Sequence, residues 1–186
     1  MKITITGAPG SGKTTIAKML AKALNLKWYS IGDIRGQMAK EHGMTLEEFN
    51  QLGETEEFTD KEVDDYQTKL GQSQEDFIID GRLSWYFIPE SFKLFLDVSD
   101  TEGAKRVFGA CQEKERDDEN YQSIEETKER LGKRIASDLL RYKKYYGDVD
   151  HTDKTNFDLV IDTTNKTPDQ ILKLILDNYK EKTANS

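Results

Sequence analysis

The sequence predicts an α/β protein built on a parallel β-sheet, and two patterns carry that prediction. Short β-type runs alternate with amphipathic segments, and such alternation requires crossover connections that make neighbouring strands parallel. The first, third and last runs are continuous and rich in Ile or Val, as expected for strands covered by helices on both faces. The five runs that predict a five-stranded, doubly wound sheet are Lys2–Thr6, Lys27–Tyr29, Phe77–Asp80, Lys93–Val98 and Asp158–Asp162.

Amphipathic segments between these runs predict the flanking helices. From residue 34 to residue 70 helical segments follow one another without a strand, which predicts a small helical insert at the carboxyl edge of the sheet. The predicted helices are Lys13–Leu24, Ile34–Glu41, Leu46–Leu52, Lys61–Leu70, Thr101–Lys114, Ile124–Tyr145 and Pro168–Tyr179.

One irregular zone, from Gly109 to Arg130, is dense in charged residues and has almost no apolar periodicity. A solvated loop has this composition, and so does a mobile flap that closes over a ligand. Both interpretations stay open at the level of the sequence.

Composition excludes several classes of protein. The chain has 186 residues and a net charge of −8, which fits one domain and argues against a general electrostatic grip on nucleic acid or an anionic membrane. No apolar run has the length of a membrane span, and the amino terminus reads as a strand rather than a signal peptide. A single cysteine, Cys111, excludes an internal disulfide. We therefore expect a monomeric cytoplasmic enzyme acting on small molecules.

The segment between the first strand and the first helix fits the pattern G-x-x-x-x-G-K-[ST], which defines the phosphate-binding loop (P-loop). A glycine-rich turn lets several backbone N–H groups converge on a phosphate, and the helix that follows adds its positive dipole end. Lys13 is expected to reach the β- and γ-phosphates of ATP, and the Thr14 hydroxyl to ligate Mg²⁺. The motif thus predicts the P-loop NTPase fold, with Gly7, Ala8, Pro9, Gly10, Ser11, Gly12, Lys13, Thr14 and Thr15 as the nucleotide-binding residues.

P-loop proteins also need an acidic residue that holds magnesium at the end of another strand. Phe77–Asp80 is an apolar run that ends in Asp-Gly-Arg, so Asp80 is the candidate. The alternative is an ordinary turn at the strand exit, because Asp-Gly is a common turn pair.

Two other kinds of P-loop protein fit poorly. Guanine recognition in GTPases normally uses Asn-Lys-x-Asp, whereas the nearest match here runs Asn165-Lys166-Thr167-Pro168, with proline in place of the acid. A motor or DNA-acting ATPase is usually larger or carries a basic face.

A small-molecule kinase requires arginines, because phosphoryl transfer is catalysed mainly by positioning and charge stabilisation. Arg134, Asp138 and Arg141 are spaced by four and three residues, which places them on one face of a helix. That spacing fits a phosphate clamp and a surface salt-bridge ladder equally well. The candidate arginines are Arg35, Arg82, Arg106, Arg116, Arg130, Arg134 and Arg141.

Several segments in order give the chain a resemblance to the cytidylate kinase family, in its short archaeal type. They are the P-loop, Ser30-Ile31-Gly32-Asp33, the segment from Lys40 to Asn50, Asp80-Gly81-Arg82-Leu83, Arg134-x-x-x-Asp138-x-x-Arg141-Tyr142, Tyr146-Gly147 and Asp158–Thr163. The resemblance runs nearly end to end. The helical insert and the Arg-Asp-Arg triplet distinguish it from a generic P-loop match.

The resemblance implies roles for individual residues. Ser30 is expected to touch the base or ribose end of the acceptor, Gly32 to belong to the same substrate-binding set, and Asp138 to bind the ribose hydroxyls. The catalytic set is expected to be Lys13, Arg82, Arg134 and Arg141, in which Arg82 binds the acceptor and Arg134 and Arg141 clamp phosphates. Asp64 and Gln67 are expected to help form the acceptor pocket, and residues 109–130 to form the lid, with Arg116 contributing.

The sequence departs from the family at one arginine of the insert. The family places it four residues after the glycine of Ser-x-Gly, but Arg35 lies three after Gly32 and Gly36 takes the expected place. One residue on a helix rotates a side chain by about 100°. Whether Arg35 reaches the acceptor phosphate is therefore open.

The expected activity is ATP-dependent phosphorylation of CMP, and of dCMP, to the diphosphate. Arg116-Asp117-Asp118-Glu119 resembles adenylate kinase lids and keeps AMP as an alternative acceptor. A kinase for another small molecule and a regulatory protein that uses ATP as a switch also stay open.

Overall fold

The computed structural model describes residues 1–113 and 121–184. Its sheet has five strands, all parallel, in the order β2-β3-β1-β4-β5, which confirms the predicted fold class. The strands are β1 Lys2–Gly7, β2 Lys27–Ser30, β3 Phe77–Asp80, β4 Phe92–Asp97 and β5 Leu159–Asp162.

Eight α-helices and one 3₁₀ turn accompany the strands in the described residues. The helices are α1 Lys13–Leu24, α2 Ile31–Glu41, α3 Leu46–Leu52, α4 Phe58–Gln72, α5 Ser84–Phe87, α6 Asp100–Gln112, α7 Ile124–Tyr146 and α8 Pro168–Ala184, and the 3₁₀ turn is Lys154–Asn156. Helix α2 begins three residues before the predicted start because Ser30 caps it, its hydroxyl accepting from the Asp33 N–H at 3.3 Å. Helix α6 ends at Gln112 rather than at the predicted Lys114, which lies outside the described residues.

The strand β3 joins two cores because its side chains alternate between the faces of the sheet. Ile78 packs into the cluster made with α1 and α8, whereas Phe77 and Ile79 pack into a second cluster with residues of α2 to α4. Phe49 of α3 and Val63 of α4 are buried in that second cluster. The three helices between β2 and β3 are thus anchored to the face of the sheet opposite α1.

The strand order places the P-loop directly after the central strand β1, at the topological switch point of the sheet. From β1 the sheet extends to β3 and β2 on one side and to β4 and β5 on the other. Open α/β sheets bind ligands at the carboxyl ends of the strands beside such a point. Asp80 is in register with Ile5 of β1 and with Ser30 of β2, so it lies at that edge.

Both ends of the irregular zone from residue 109 to residue 130 are helical. Residues 109–112 complete α6, and residues 124–130 form the first turns of α7, which Ser123 caps by accepting from the Glu126 N–H at 3.1 Å. Tyr121 is buried against Val107 and Leu131. The segment Lys114–Asn120, which contains Arg116, lies outside the described residues, so the lid stays a prediction. None of the described helices combines the length and apolar character needed to cross a membrane.

Candidate active site

The P-loop wraps the start of α1 in a turn that two glycines make possible. Gly10 and Gly12 have φ values of 75° and 85°, a region that side-chain-bearing residues rarely adopt. A Cβ at Gly10 would also lie 2.3 Å from the Gly103 carbonyl oxygen of α6. The loop therefore closes tightly against α6, with the amino terminus of α1 facing the carboxyl edge of the sheet.

The Lys13 side chain folds back onto the backbone of this loop. Its Nζ donates to the carbonyl oxygens of Gly7 and Ala8, each at 2.9 Å. The ammonium group is thereby held close to the backbone of the loop.

Asp80 stands beside the P-loop and is held by two donors from different elements. The Thr14 hydroxyl donates to Oδ2 at 3.1 Å, and the Trp28 indole N–H donates to Oδ1 at 2.6 Å. Burial raises the pKa of Asp80, and the hydrogen bonds from Trp28 and Thr14 oppose that rise. The structure thus brings the two predicted metal ligands together. No sequence motif pointed to Trp28.

An alternating chain of buried charges runs from the insert to the end of β3. Arg35 Nη1 lies 2.5 Å from Asp60 Oδ1, and Arg141 Nε lies 3.0 Å from Asp60 Oδ2. Arg141 Nη2 lies 2.9 Å from Asp138 Oδ1, and Arg82 Nη1 lies 2.6 Å from Asp138 Oδ2. Asp138 and Arg141 are each 1% exposed, which excludes a surface ladder for this pair. We call Arg35, Asp60, Arg141, Asp138 and Arg82 the charge network.

The charge network carries an excess of one positive charge, since three arginines face two aspartates. Arg35 also donates to Asn50 Oδ1 and to the Thr59 carbonyl, yet its buried Nη2 has no hydrogen-bond partner among the described residues. A desolvated site with surplus positive charge and an unused guanidinium nitrogen favours binding of an anion. Asp60, which joins the two halves of this network, was missed by the sequence analysis.

A cavity of about 230 Å³ adjoins the charge network between α3 and α7. Arg134, which is half-buried, and Asp138 line one wall, and Asn50 of α3 and Glu54, two residues beyond the end of α3, line the other. The predicted acceptor residues on α7 thus face the insert across an open space.

Other predicted acceptor residues lie around this centre rather than in the cavity. Ser30 is buried as the cap of α2, and Gly32 is exposed in its first turn. Asp64 and Gln67 follow Asp60 on the same face of α4. Gln67 Oε1 accepts from the Ser84 hydroxyl at 2.7 Å, and Asp64 accepts from the Tyr146 hydroxyl. Burial raises the pKa of Asp64 to about 7.

Arg106 and Arg130, two arginines singled out in the sequence, tie neighbouring elements together, and Arg130 also lines the cavity. Arg106 reaches the Gly10 carbonyl at 3.4 Å and the Thr163 carbonyl at 2.9 Å, so it ties α6 to the P-loop and to the end of β5. Arg130 pairs with Glu47 of α3 at 2.7 Å.

His151 is a buried group that the sequence analysis did not single out. Burial and the nearby charge of Arg82 lower its pKa to about 4, so it is neutral at physiological pH. Its ring packs edge-on against Tyr142 with centroids 5.3 Å apart. It therefore contributes packing rather than charge beside the network.

Comparison with known proteins shows which families this chain resembles. Residues 3–132 match a family described as AAA domain. The cytidylate kinase of Methanobrevibacter smithii is 34% identical over 97% of this chain and 99% of its own length. The cytidylate kinase of Methanosphaera stadtmanae is 32% identical over 97% and 100%. An S-adenosylmethionine-dependent nucleotide dehydratase of Lacinutrix mariniflava is 33% identical over 98% of this chain but only 37% of that protein.

Solved structures share the fold at lower identity. An uncharacterized protein from Eubacterium ventriosum superposes with a TM-score of 0.66 at 19% identity, covering 96% of this chain and 97% of that one. Shikimate kinase from Bacteroides thetaiotaomicron does so with a TM-score of 0.63 at 14% identity, covering 97% and 98%. At these identities the likeness concerns the fold alone.

At one edge of the sheet the P-loop lies beside a buried carboxylate and a network of arginines, which is the arrangement of a P-loop kinase. The relatives that match over their full length are kinases of a nucleoside monophosphate, so this chain belongs to that class. The chain belongs to the cytidylate kinase family. The resemblance drawn from the sequence is thereby confirmed, and a regulatory role is not favoured.

Proposed function

We propose that this protein transfers the γ-phosphoryl group of ATP to CMP, and to dCMP, giving ADP and the corresponding diphosphate. The observation that carries the proposal is the charge network, which brings surplus positive charge to the sheet edge where the P-loop ends. Membership of a family whose full-length relatives are named cytidylate kinases favours CMP over AMP as the acceptor.

The donor side is assigned to the P-loop. ATP phosphates are bound by the loop N–H groups and by Lys13, whose Nζ rests 2.9 Å from two loop carbonyls that the phosphates can replace as partners. Thr14 and Asp80 are the residues that would hold Mg²⁺, since both offer oxygen and lie 3.1 Å apart. Bound there, Mg²⁺ would supply charge neutralisation for the phosphates.

The acceptor side is assigned to the charge network and its cavity. Arg82, Arg141 and the unused Nη2 of Arg35 bind the acceptor phosphate. The nucleoside occupies the cavity between α3 and α7, where Asp138 binds the ribose and Arg134, on the same wall, clamps a phosphate. Asp64 and Gln67 on α4, with Ser30 and Gly32 at the start of α2, are kept as acceptor-binding residues of the insert, outside the lining of this cavity.

Transfer proceeds directly from donor to acceptor. An oxygen of the acceptor phosphate attacks the γ-phosphorus of ATP as the bond to the β-phosphate oxygen breaks, with no covalent enzyme intermediate. Lys13 and the arginines of the network stabilise the charge on the moving group. A lid within residues 109–130 that would exclude water stays a prediction, since residues 114–120 lie outside the described part of the chain. The monomeric state and the cytoplasmic location stay predictions.

The test is ADP formation from ATP and Mg²⁺ with CMP, dCMP, UMP, AMP or GMP added one at a time, and shikimate as a further acceptor. We expect the largest acceleration with CMP and dCMP, and no turnover with any acceptor in a folded Lys13→Ala variant. Acceleration by AMP alone would contradict CMP as the acceptor. Near-normal rates in Lys13→Ala would remove the P-loop from the mechanism.

A further inference from the structure

Trp28 is a half-buried residue of the edge strand β2, and its side chain makes a polar contact inside the donor site. Its indole N–H donates to Asp80 Oδ1 at 2.6 Å, while Thr14 donates to Oδ2 at 3.1 Å. Among the described residues these are the two side chains that donate to Asp80. Each carboxylate oxygen is therefore held from a different side, one from α1 and one from β2.

The parallel register explains how the indole reaches this position. Ser30 is paired with Asp80 and Trp28 with Ile78, so Trp28 and Asp80 lie on the same face of the sheet, two residues apart along the strands. The long indole bridges that gap. Lys18 of α1 places its Nζ 4.7 Å from the ring centroid of Trp28, which holds the ring against the helix that carries Thr14.

We propose that Trp28 is a positioning residue that fixes the orientation of the Asp80 carboxylate for the magnesium–nucleotide complex. The indole N–H can only donate a hydrogen bond. Because it donates to Oδ1, it restricts rotation of the Asp80 carboxylate, which would turn more freely if Oδ1 had no partner. With Oδ1 held by Trp28, Oδ2 stays directed toward Thr14. Outer partners that orient a ligand in this way usually change metal affinity or activity when they are removed. The proposal rests on the role of Asp80 proposed above.

The chain offers an optical readout that is independent of turnover. It contains two tryptophans, Trp28 and Trp85. Trp85 is buried, and its indole N–H donates to the Arg82 carbonyl at 3.1 Å rather than to Asp80. A Trp85→Phe background therefore leaves Trp28 as the sole indole, and its own kinetics serve as the reference for all further variants. We expect Trp28 fluorescence in this background to change when ATP and Mg²⁺ are added together, and to change less when EDTA replaces Mg²⁺.

The kinetic arm compares Trp28→Phe with Trp28→His, since histidine retains a ring N–H donor and phenylalanine does not. We expect Trp28→Phe to raise the Mg²⁺ concentration for half-maximal rate by about tenfold, with the KM for CMP unchanged, and Trp28→His to recover part of that loss. Thermal unfolding of each variant identifies the folded fraction to which the rates are referred. A purely structural role would lower that fraction and leave the Mg²⁺ requirement of the folded enzyme as it was.

Two results would overturn the proposal. One is a Trp28→Phe enzyme with the Mg²⁺ requirement of the reference, and the other is Trp28 fluorescence that responds equally with and without Mg²⁺.

An Asp80→Asn variant separates a failure of the Trp28 proposal from a failure of the proposed donor site. If Asp80→Asn changes the Mg²⁺ requirement and Trp28→Phe does not, only the role of Trp28 falls. If neither does, the assignment of Asp80 falls as well. Calorimetric binding of ATP with Mg²⁺ gives the same comparison when no acceptor is turned over.

Discussion

Asp60 links two arginines that belong to different helices. Its oxygens lie 2.5 Å from Arg35 of α2 and 3.0 Å from Arg141 of α7, and its side chain is 7% exposed. Replacing Asp60 by Asn leaves both guanidinium groups buried without this carboxylate. We expect the free energy of unfolding to fall by about 3–5 kcal/mol, the range for breaking a buried pair from one side. Urea unfolding of the natural chain and of Asp60→Asn measures this difference in free energy.

A surface ion pair of the same chain serves as the matched control for Asp60→Asn. Glu129 and Lys133 lie 2.7 Å apart on α7, with side chains 66% and 73% exposed. Exposed pairs of this kind contribute little, so Glu129→Gln should leave the urea midpoint unchanged. If Asp60→Asn is equally harmless, the charge network is not a buried structural unit.

Asp64 makes the stability of the fold depend on pH. Burial raises the pKa of Asp64 to about 7 in the folded protein, well above the ordinary carboxyl value near 4. Between these values the unfolded chain loses the Asp64 proton while the folded protein retains it. The contribution of Asp64 to stability is thus fully present below about pH 4 and is lost as the pH rises toward 7.

The experiment is the free energy of unfolding from pH 4 to pH 8 for the natural chain and for Asp64→Asn. We expect the natural chain to lose stability relative to the variant across this window, with a proton difference approaching one at its centre. Two parallel curves would show that Asp64 titrates in the folded protein as it does in the unfolded chain.

At the scale of elements, helix α2 carries the departure from the family pattern. Arg35 points inward to Asp60, whereas a Cβ added at Gly36 meets no atom within 4 Å. The position at which the family has its arginine is therefore open space. Gly36→Arg should place a second guanidinium on the helix face about 100° away from Arg35.

We expect Gly36→Arg to lower the KM for CMP several-fold, with Gly36→Ala as the control for helix propensity. Both variants should raise the free energy of unfolding by about 0.5–1 kcal/mol, because glycine is unfavourable in a helix interior. Acceptor titrations at saturating ATP measure the difference. Equal KM values in the two variants would show that the shifted Arg35 already supplies the contact, or that α2 does not face the acceptor phosphate.

Elements with a clear apolar pattern and marked ends were predictable, and those held by local contacts were less so. Helices α1 and α3 and strand β3 have the predicted bounds. The four residues of α5 are too few to show a helical period, and the first turn of α2 contains Gly32 and Asp33, which obscured the start that Ser30 fixes. Helix α7 begins at the predicted Ile124 and ends one residue beyond the predicted Tyr145, although its first turns also lay in the irregular zone.

At the scale of the whole molecule, the P-loop was predictable because its motif lies in eight consecutive residues. The acceptor side was only partly predictable. Arg134, Asp138 and Arg141 share a helix face, so their spacing is visible in the sequence. Asp60 and Trp28 enter the site only through the packing of α4 against α7 and the pairing of β2 with β3, and no local pattern records such contacts.

The whole fold brings the P-loop and the charge network to one edge of the sheet, so one molecule should bridge them. The decisive measurement is the dissociation constant of a two-headed analogue in which adenosine and cytidine are joined by five phosphates. Because its second half binds intramolecularly, we expect it to bind at least about a hundredfold more tightly than ATP or CMP alone. Binding no tighter than that of ATP would contradict a joint donor and acceptor site.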